Sequence, residues 1–214
     1  LKVGCGNRLT VKGVAHDYPA KALLKESVEV EEEEGGLFGG VTAANATDGV
    51  VEAVYGTPVL DGDAADAIWA DATAYTVGSG ENKGDFKMVW DDNALYILAV
   101  VDDANLDTSG ANVYEQDGIE IFVDELNNKS TSYASDDVHY RVNYENERST
   151  DAGQTPLWYT KTAVRYAEDG TTPIGYVVEA CFQWNEAAPQ NDTVVGFDAQ
   201  INVCSGGGRQ GSPC

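Results

Sequence analysis

Seven short apolar runs, most of them alternating with polar residues and each bounded by turn formers, constrain this chain more than any other feature. They are residues 86–90, 95–101, 119–124, 138–144, 160–167, 174–184 and 194–203. Successive side chains of an extended strand point to opposite faces, so a run of period two has one face for a core and one for solvent or a ligand. Asp91-Asp92-Asn93, between the first two runs, is a tight hairpin signal, and residues 153–156 and 169–173 supply further turns. No long amphipathic helical pattern separates the runs. Short strands at this spacing predict an all-β sandwich or open barrel, with one helical turn over Ala64 to Ala70 that seats Trp69.

The texture divides the chain in two. Residues 1–50 are poorly patterned: 21–30 could form a short helix or strand, Glu31 to Glu34 run together, and Gly-Gly-Leu-Phe-Gly-Gly follows, so 31–50 reads as an acidic, glycine-rich linker. Residues 51–214 carry the strand pattern and are expected to be one module. At 214 residues, 43% of them hydrophobic, the chain is long enough to bury a core. The start at Leu1, without a basic region and an apolar run after it, is read as the start of a piece cut from a longer polypeptide. No run of about 18 apolar residues is present, so no transmembrane helix is expected. Thirty-six acidic against 13 basic residues give a net charge of −23. That charge argues against nucleic acid and anionic membrane as partners, because both are polyanions. Neutral ligands and divalent cations remain. Cys5, Cys181, Cys204 and Cys214 contain no CxxC pair, and the sequence does not choose among their pairings.

Three of the runs carry polar faces that could share one groove. His139, Arg141 and Asn143 alternate with Val138, Tyr140, Val142 and Tyr144; Asp198, Gln200 and Asn202 alternate with Phe197, Ala199, Ile201 and Val203; Glu120 and Asp124 alternate with Ile119, Ile121 and Val123. On a common sheet they would form a floor of carboxylates, amides and a guanidinium. A sugar hydroxyl both donates and accepts, and adjacent hydroxyls suit bidentate partners of these types. Tyr114, in the loop before Ile119, could lay a ring against the apolar face of a pyranose. The same alternation is also what the wet side of any antiparallel sheet shows, and pattern alone leaves both readings open.

Five ordered segments carry a resemblance. Tyr-Gly-Thr-Pro-Val-Leu-Asp-Gly at 55–62 with Trp69, Val-Trp-Asp-Asp-Asn-Ala-Leu-Tyr-Ile-Leu-Ala-Val-Val-Asp-Asp at 89–103, Tyr-Glu-Gln-Asp-Gly-Ile-Glu-Ile-Phe-Val-Asp-Glu at 114–125, Tyr-Arg-Val-Asn-Tyr at 140–144 and Gly-Phe-Asp-Ala-Gln-Ile-Asn at 196–202 together resemble the family 9 carbohydrate-binding modules. The resemblance covers about residues 52–203. It implies an antiparallel, jelly-roll-like β-sandwich, appended to secreted xylanases, that binds reducing ends of xylan and cellulose chains and small sugars between two aromatic rings. It implies that Tyr114 stands at the first aromatic position, and Glu120, Arg141, Asn143 and Gln200 at the hydrogen-bonding positions. The family's second aromatic lies downstream of Gln200, where this chain reads Val-Cys-Ser-Gly-Gly-Gly-Arg-Gln-Gly-Ser-Pro-Cys. A C-terminally truncated module lacking its final strand is therefore expected.

Family members also hold structural calcium. Here Asp124, Asn127, Asp136 and Asp137, with Glu125 and Asn128, offer hard oxygen ligands around one loop, without the spacing of an EF-hand. The expectation is a secreted, monomeric, non-catalytic module that targets a covalently linked endo-1,4-beta-xylanase to cell-wall polysaccharide. Two rivals are a glycoside hydrolase fragment built on Glu120, which needs a second carboxylate, and a calcium-dependent surface adhesion module.

Overall fold

A computed structural model of the chain describes residues 9–13, 50–80, 82–129, 132–151, 158–187 and 189–211. Most of residues 1–50, including the predicted element at 21–30 and the linker from 31 to 49, lie outside them. The strands are β1 (Leu9–Gly13), β2 (Val50–Tyr55), β3 (Tyr75–Ser79), β4 (Asn82–Trp90), β5 (Ala94–Asp102), β6 (Gly118–Asp124), β7 (Asp137–Asn143), β8 (Arg148–Thr150), β9 (Trp158–Tyr166), β10 (Pro173–Gln183), β11 (Val194–Ser205) and β12 (Gly208–Gly211). A short α-helix, α1 (Ala67–Asp71), is the helical turn predicted around Trp69. Each of the seven predicted runs falls on a strand, three of them reaching one residue past its end.

The predicted hairpin forms between β4 and β5, with Trp90 opposite Leu95. Its turn is held by one carboxylate: Asp91 Oδ1 accepts the backbone N–H groups of Asn93 (2.8 Å) and Ala94 (2.9 Å), and Oδ2 accepts the hydroxyls of Thr57 (2.6 Å) and Tyr96 (2.9 Å). These bonds outweigh the burial that would raise its pKa and hold Asp91 below the usual carboxylate range.

The strands follow one hydrogen-bonded path, β8-β7-β6-β11-β1-β2-β4-β5-β10-β9, with β12 on β11 and β3 on β4. It folds into two facing layers. All pairings are antiparallel except β1–β2 and β2–β4. The sheet takes in β1, from upstream of residue 51, between β11 and β2. After β11, where the sequence predicts no further strand, the chain turns at Gly206 and Gly207 (φ 63° and 85°) and returns as β12. At the far edges β8 and β9 are clipped together by Thr160 Oγ1 donating to Asn146 Oδ1 (2.5 Å) and Arg148 donating to the Trp158 carbonyl (3.1 Å).

Between the layers lies the core predicted by alternation. Ile119, Ile121, Val142, Phe197 and Ile201 from one layer meet Phe86, Met88, Ile97, Tyr176 and Val178 from the other. Trp158, which sits on a β9 edge, packs on Tyr140 and Phe182 (centroids 4.7 and 5.9 Å). A second apolar layer covers the outer face of β4, β5 and β10, where Trp69 and Ala64 pack on Val89, Leu98 and Val177.

Glu179 ties that outer layer down. It is fully buried, accepts the backbone N–H groups of Asp61 (2.9 Å) and Gly62 (2.7 Å) on Oε2 and the Trp69 indole N–H (3.0 Å) on Oε1. Burial still pushes its pKa up. Replacing Glu179 by Ala leaves three N–H groups without their acceptor and is expected to lower stability by about 3 kcal/mol or more. Glu179→Gln, which keeps one carbonyl oxygen, should lose less. Urea denaturation of the two variants checks the ordering, and wild-type stability in Glu179→Ala would contradict it.

Candidate functional site

The three polar faces do share a sheet, because β6 lies between β7 and β11. Register sets them in rows. Gln200, Glu120, Arg141 and Ser149 stand side by side across four strands; Asn202, Gly118 and Asn143 form the row on one side, and Asp198, Phe122 and His139 the row on the other. Gly118 is required by close approach: a Cβ there would lie 2.4 Å from the Val142 carbonyl oxygen.

Glu120 is the hub of the floor and only 3% exposed. Its Oε2 meets His139 Nε2 at 2.5 Å and Arg141 Nε at 3.3 Å, and its Oε1 accepts from Asn202 Nδ2 at 2.9 Å with Arg209 3.5 Å away. Burial raises its pKa, but the hydrogen bonds of His139 and Asn202 and the charges of His139 and Arg141 prevail and hold it below the usual range. Arg141 also donates to Asp151 Oδ1 (2.7 Å), and His139 Nδ1 lies 3.1 Å from Asp151 Oδ2. Asp151 is likewise held low: Arg141 and His139 outweigh its burial. A glycosidase needs one carboxyl kept protonated as the general acid. Both carboxylates here are shifted the opposite way.

Tyr114 stands beside this floor, 41% exposed, with the Arg141 guanidinium carbon 5.9 Å from its ring centroid. Its loop is pinned by polar bonds. Glu115 Oε2 accepts from the Asn112 backbone and side chain (3.0 and 2.8 Å), and Gln116 bonds the Gly110 carbonyl. Buried Asp117 accepts the backbone N–H groups of Asp107 and Cys204 (both 2.5 Å). Burial first, then the charges of Asp103 and Asp107, push Asp117 up to about 7 despite those bonds.

Of the predicted residues, Tyr114, Glu120, Arg141 and Gln200 come together. Asn143 sits in the adjoining row but is fully buried: Nδ2 donates to Gln116 Oε1 (2.6 Å) and Oδ1 accepts from the Glu147 backbone (2.7 Å). It holds the Tyr114 loop against β7. Asp151 and Arg209 were missed as members of the floor. Arg209 arrives on β12, where it donates to Asn202 Oδ1 (2.6 Å), and Gln200 donates to the same oxygen (3.0 Å). The Gly-Gly turn before Arg209 is the one signal that could have placed it.

At the far end of β6 and β7, Asp124, Asp136 and Asp137 are buried and each brings an oxygen within 4.8 Å of the others. Burial, then the charges of Asp137, Asp124 and Glu186, push Asp136 up. Asn127 shares the loop in a left-handed conformation (φ 49°) and donates its backbone N–H to the Asp124 carbonyl (3.1 Å). Glu125 is engaged elsewhere, accepting the backbone N–H groups of Asn185, Glu186 and Ala187.

Residues 48–212 match the family described as carbohydrate family 9 binding domain-like. The chain is 40% identical over 178 residues to endo-1,4-beta-xylanase A of Thermoanaerobacterium saccharolyticum and 43% identical over 166 residues to exoglucanase XynX of Acetivibrio thermocellus. These matches cover 81% and 75% of this chain but 15% of each relative. Among solved structures, it resembles a carbohydrate binding module family 9 from Caldicellulosiruptor kristjanssonii in complex with cellotriose (TM-score 0.69, 39% identity, 76% of this chain and 82% of that one). The structure with glucose gives a TM-score of 0.66 at 40% identity, over 75% of this chain and 81% of that one. The match is to a binding module rather than a catalytic domain.

The depressed pKa of Glu120 has a sign in solution. Its contribution to stability is complete above the unfolded carboxylate pKa, about 4.3, and is lost as pH falls through the lower folded value. Urea denaturation between about pH 3 and pH 7 is expected to show stability falling at the acid end, and Glu120→Gln to flatten that limb. An unchanged acid limb in the variant would contradict the ionised hub.

Proposed function

This chain belongs to the family 9 carbohydrate-binding modules, and from that we propose that it binds the reducing ends of xylan and cellulose chains and small sugars. The observation that carries the reading is the row Gln200–Glu120–Arg141 with the exposed ring of Tyr114 beside it. The row offers a carboxylate, an amide and a guanidinium to neighbouring hydroxyls, and the ring offers an apolar face. The floor is held by its own bonds before any ligand arrives, so little ordering is left for binding to accomplish. In the reading proposed, the module is monomeric and secreted, and tethers an attached xylanase at cell-wall polysaccharide. Tethering raises the local concentration of enzyme at its substrate without altering the chemistry.

Calorimetric titration with cellobiose and xylobiose, and with the same sugars reduced at the terminal unit, tests the reading. Binding of the untreated disaccharides alone is expected. Arg141→Ala should weaken it by about tenfold or more, since hydrogen bonds to a charged group contribute about 1.5–3 kcal/mol each. Equal affinity for the reduced sugars would exclude the reducing end, and no affinity for any of them would favour a surface adhesion role.

Asp124, Asp136 and Asp137, with Asn127 on the same loop, are proposed to hold structural calcium. Converging buried carboxylates and a hard oxygen donor set fit that ion. Calcium would neutralise their mutual repulsion. Without it, the raised pKa of Asp136 contributes stability below the ordinary carboxylate pKa that is lost as pH rises through the folded value. Calcium is therefore expected to raise the melting temperature more near pH 7 than near about pH 4. Asp137→Asn should reduce the gain, as thermal scans with calcium and with a chelator would register.

A further inference from the structure

The row next to the hub carries two aromatic rings whose exposed neighbour has no part in the reading above. Phe122 and His139 face each other across β6 and β7 and stack with centroids 4.0 Å apart at 25°. Tyr133, from the loop before β7, lies nearly parallel to His139 (20°) with its centroid 6.4 Å away. The residue is 46% exposed. It is not a stray surface ring. It lies against His139, whose Nε2 meets Glu120 of the floor. Asp151, 36% exposed in its side chain, is anchored by Arg141 and by the same His139 imidazole.

Two exposed tyrosines thus attend neighbouring residues of one strand face, Tyr114 at Arg141 and Tyr133 at His139. Residues two apart on a strand are separated by about 7 Å. That is the scale of one sugar ring and its linkage. We propose that Tyr133 is the apolar platform for a second sugar unit, adjoining the unit held over Glu120 and Arg141, with Asp151 as an acceptor at the rim. This rests on the sugar-binding reading and adds to it a basis for preferring a disaccharide to a monosaccharide. His139, itself stacked on Phe122, lies alongside the platform, so the second unit meets an aromatic surface where the first meets a charged one.

The test is calorimetric titration of the whole chain, in calcium, with glucose and with cellobiose. Wild type is expected to bind cellobiose about five- to tenfold more tightly than glucose, the scale of one added aromatic contact. Tyr133→Ala should bring cellobiose affinity down to that for glucose while leaving glucose within about twofold. Tyr133→Phe should keep the preference, because the ring and not the hydroxyl provides the surface. Circular dichroism of the exposed-site variants verifies that the fold is intact. A preference that survives in Tyr133→Ala, or an equal loss for both sugars, overturns the platform while leaving the sugar-binding reading in place. If wild type binds neither sugar, that reading fails and the platform with it.

Discussion

Everything at the polar face depends on a charge that the fold keeps out of water. Glu120 lies in the middle of a sheet with 3% exposure, and an isolated carboxylate in that position would neutralise itself by taking a proton. Two cationic side chains, an imidazole and an amide, drawn from β7, β11 and β12, surround it instead. Such a cluster is a poor source of net stability, since desolvation of the ions offsets most of their attraction. What it supplies is order. Each partner's position is determined by the same two oxygens, so the donors and acceptors of the floor are fixed relative to one another, as a small polar ligand needs.

Loops complete the site, and they too are held by buried polar atoms. Asn143 joins the Tyr114 loop to β7 through Gln116, and Asp117 joins it to the end of β11 through the Cys204 N–H. The outer layer repeats the device: Glu179 gathers three N–H groups from a segment more than a hundred residues away in sequence. In each case a side chain on a rigid strand orders irregular backbone, which otherwise has no ladder to satisfy it.

The strands were legible because their period is a local property. Residues 119–124, 138–144 and 194–203 each alternate cleanly, and the faces assigned from that alternation are the faces observed. That Glu120, Arg141 and Gln200 come together was legible only through the resemblance, since lateral order and register depend on pairings between residues far apart. Asn143 illustrates the limit: parity placed it on the polar face, but its full burial follows from the loop folded over it. Arg209 and Asp151 follow glycine-rich or short segments with no period at all, and β1 and β12 are recruited by the sheet rather than by their own pattern.

The acidity of the chain and the paired charges of the floor belong together. With a net charge of −23, an unbalanced cationic groove would attract any anion, and an anionic groove would repel most solutes while gathering cations. The floor sets Arg141 and Arg209 against Glu120 and Asp151, two charges of each sign. These four charges pair off within the floor. A neutral ligand that can donate and accept in the same plane meets groups already polarised by their partners, and so is the solute for which the exchange with water is least unfavourable. The three aspartates at the end of β6 and β7 lack any such counterweight among themselves. The molecule therefore gathers like charges at that end of the two strands and sets opposite charges against one another on the floor.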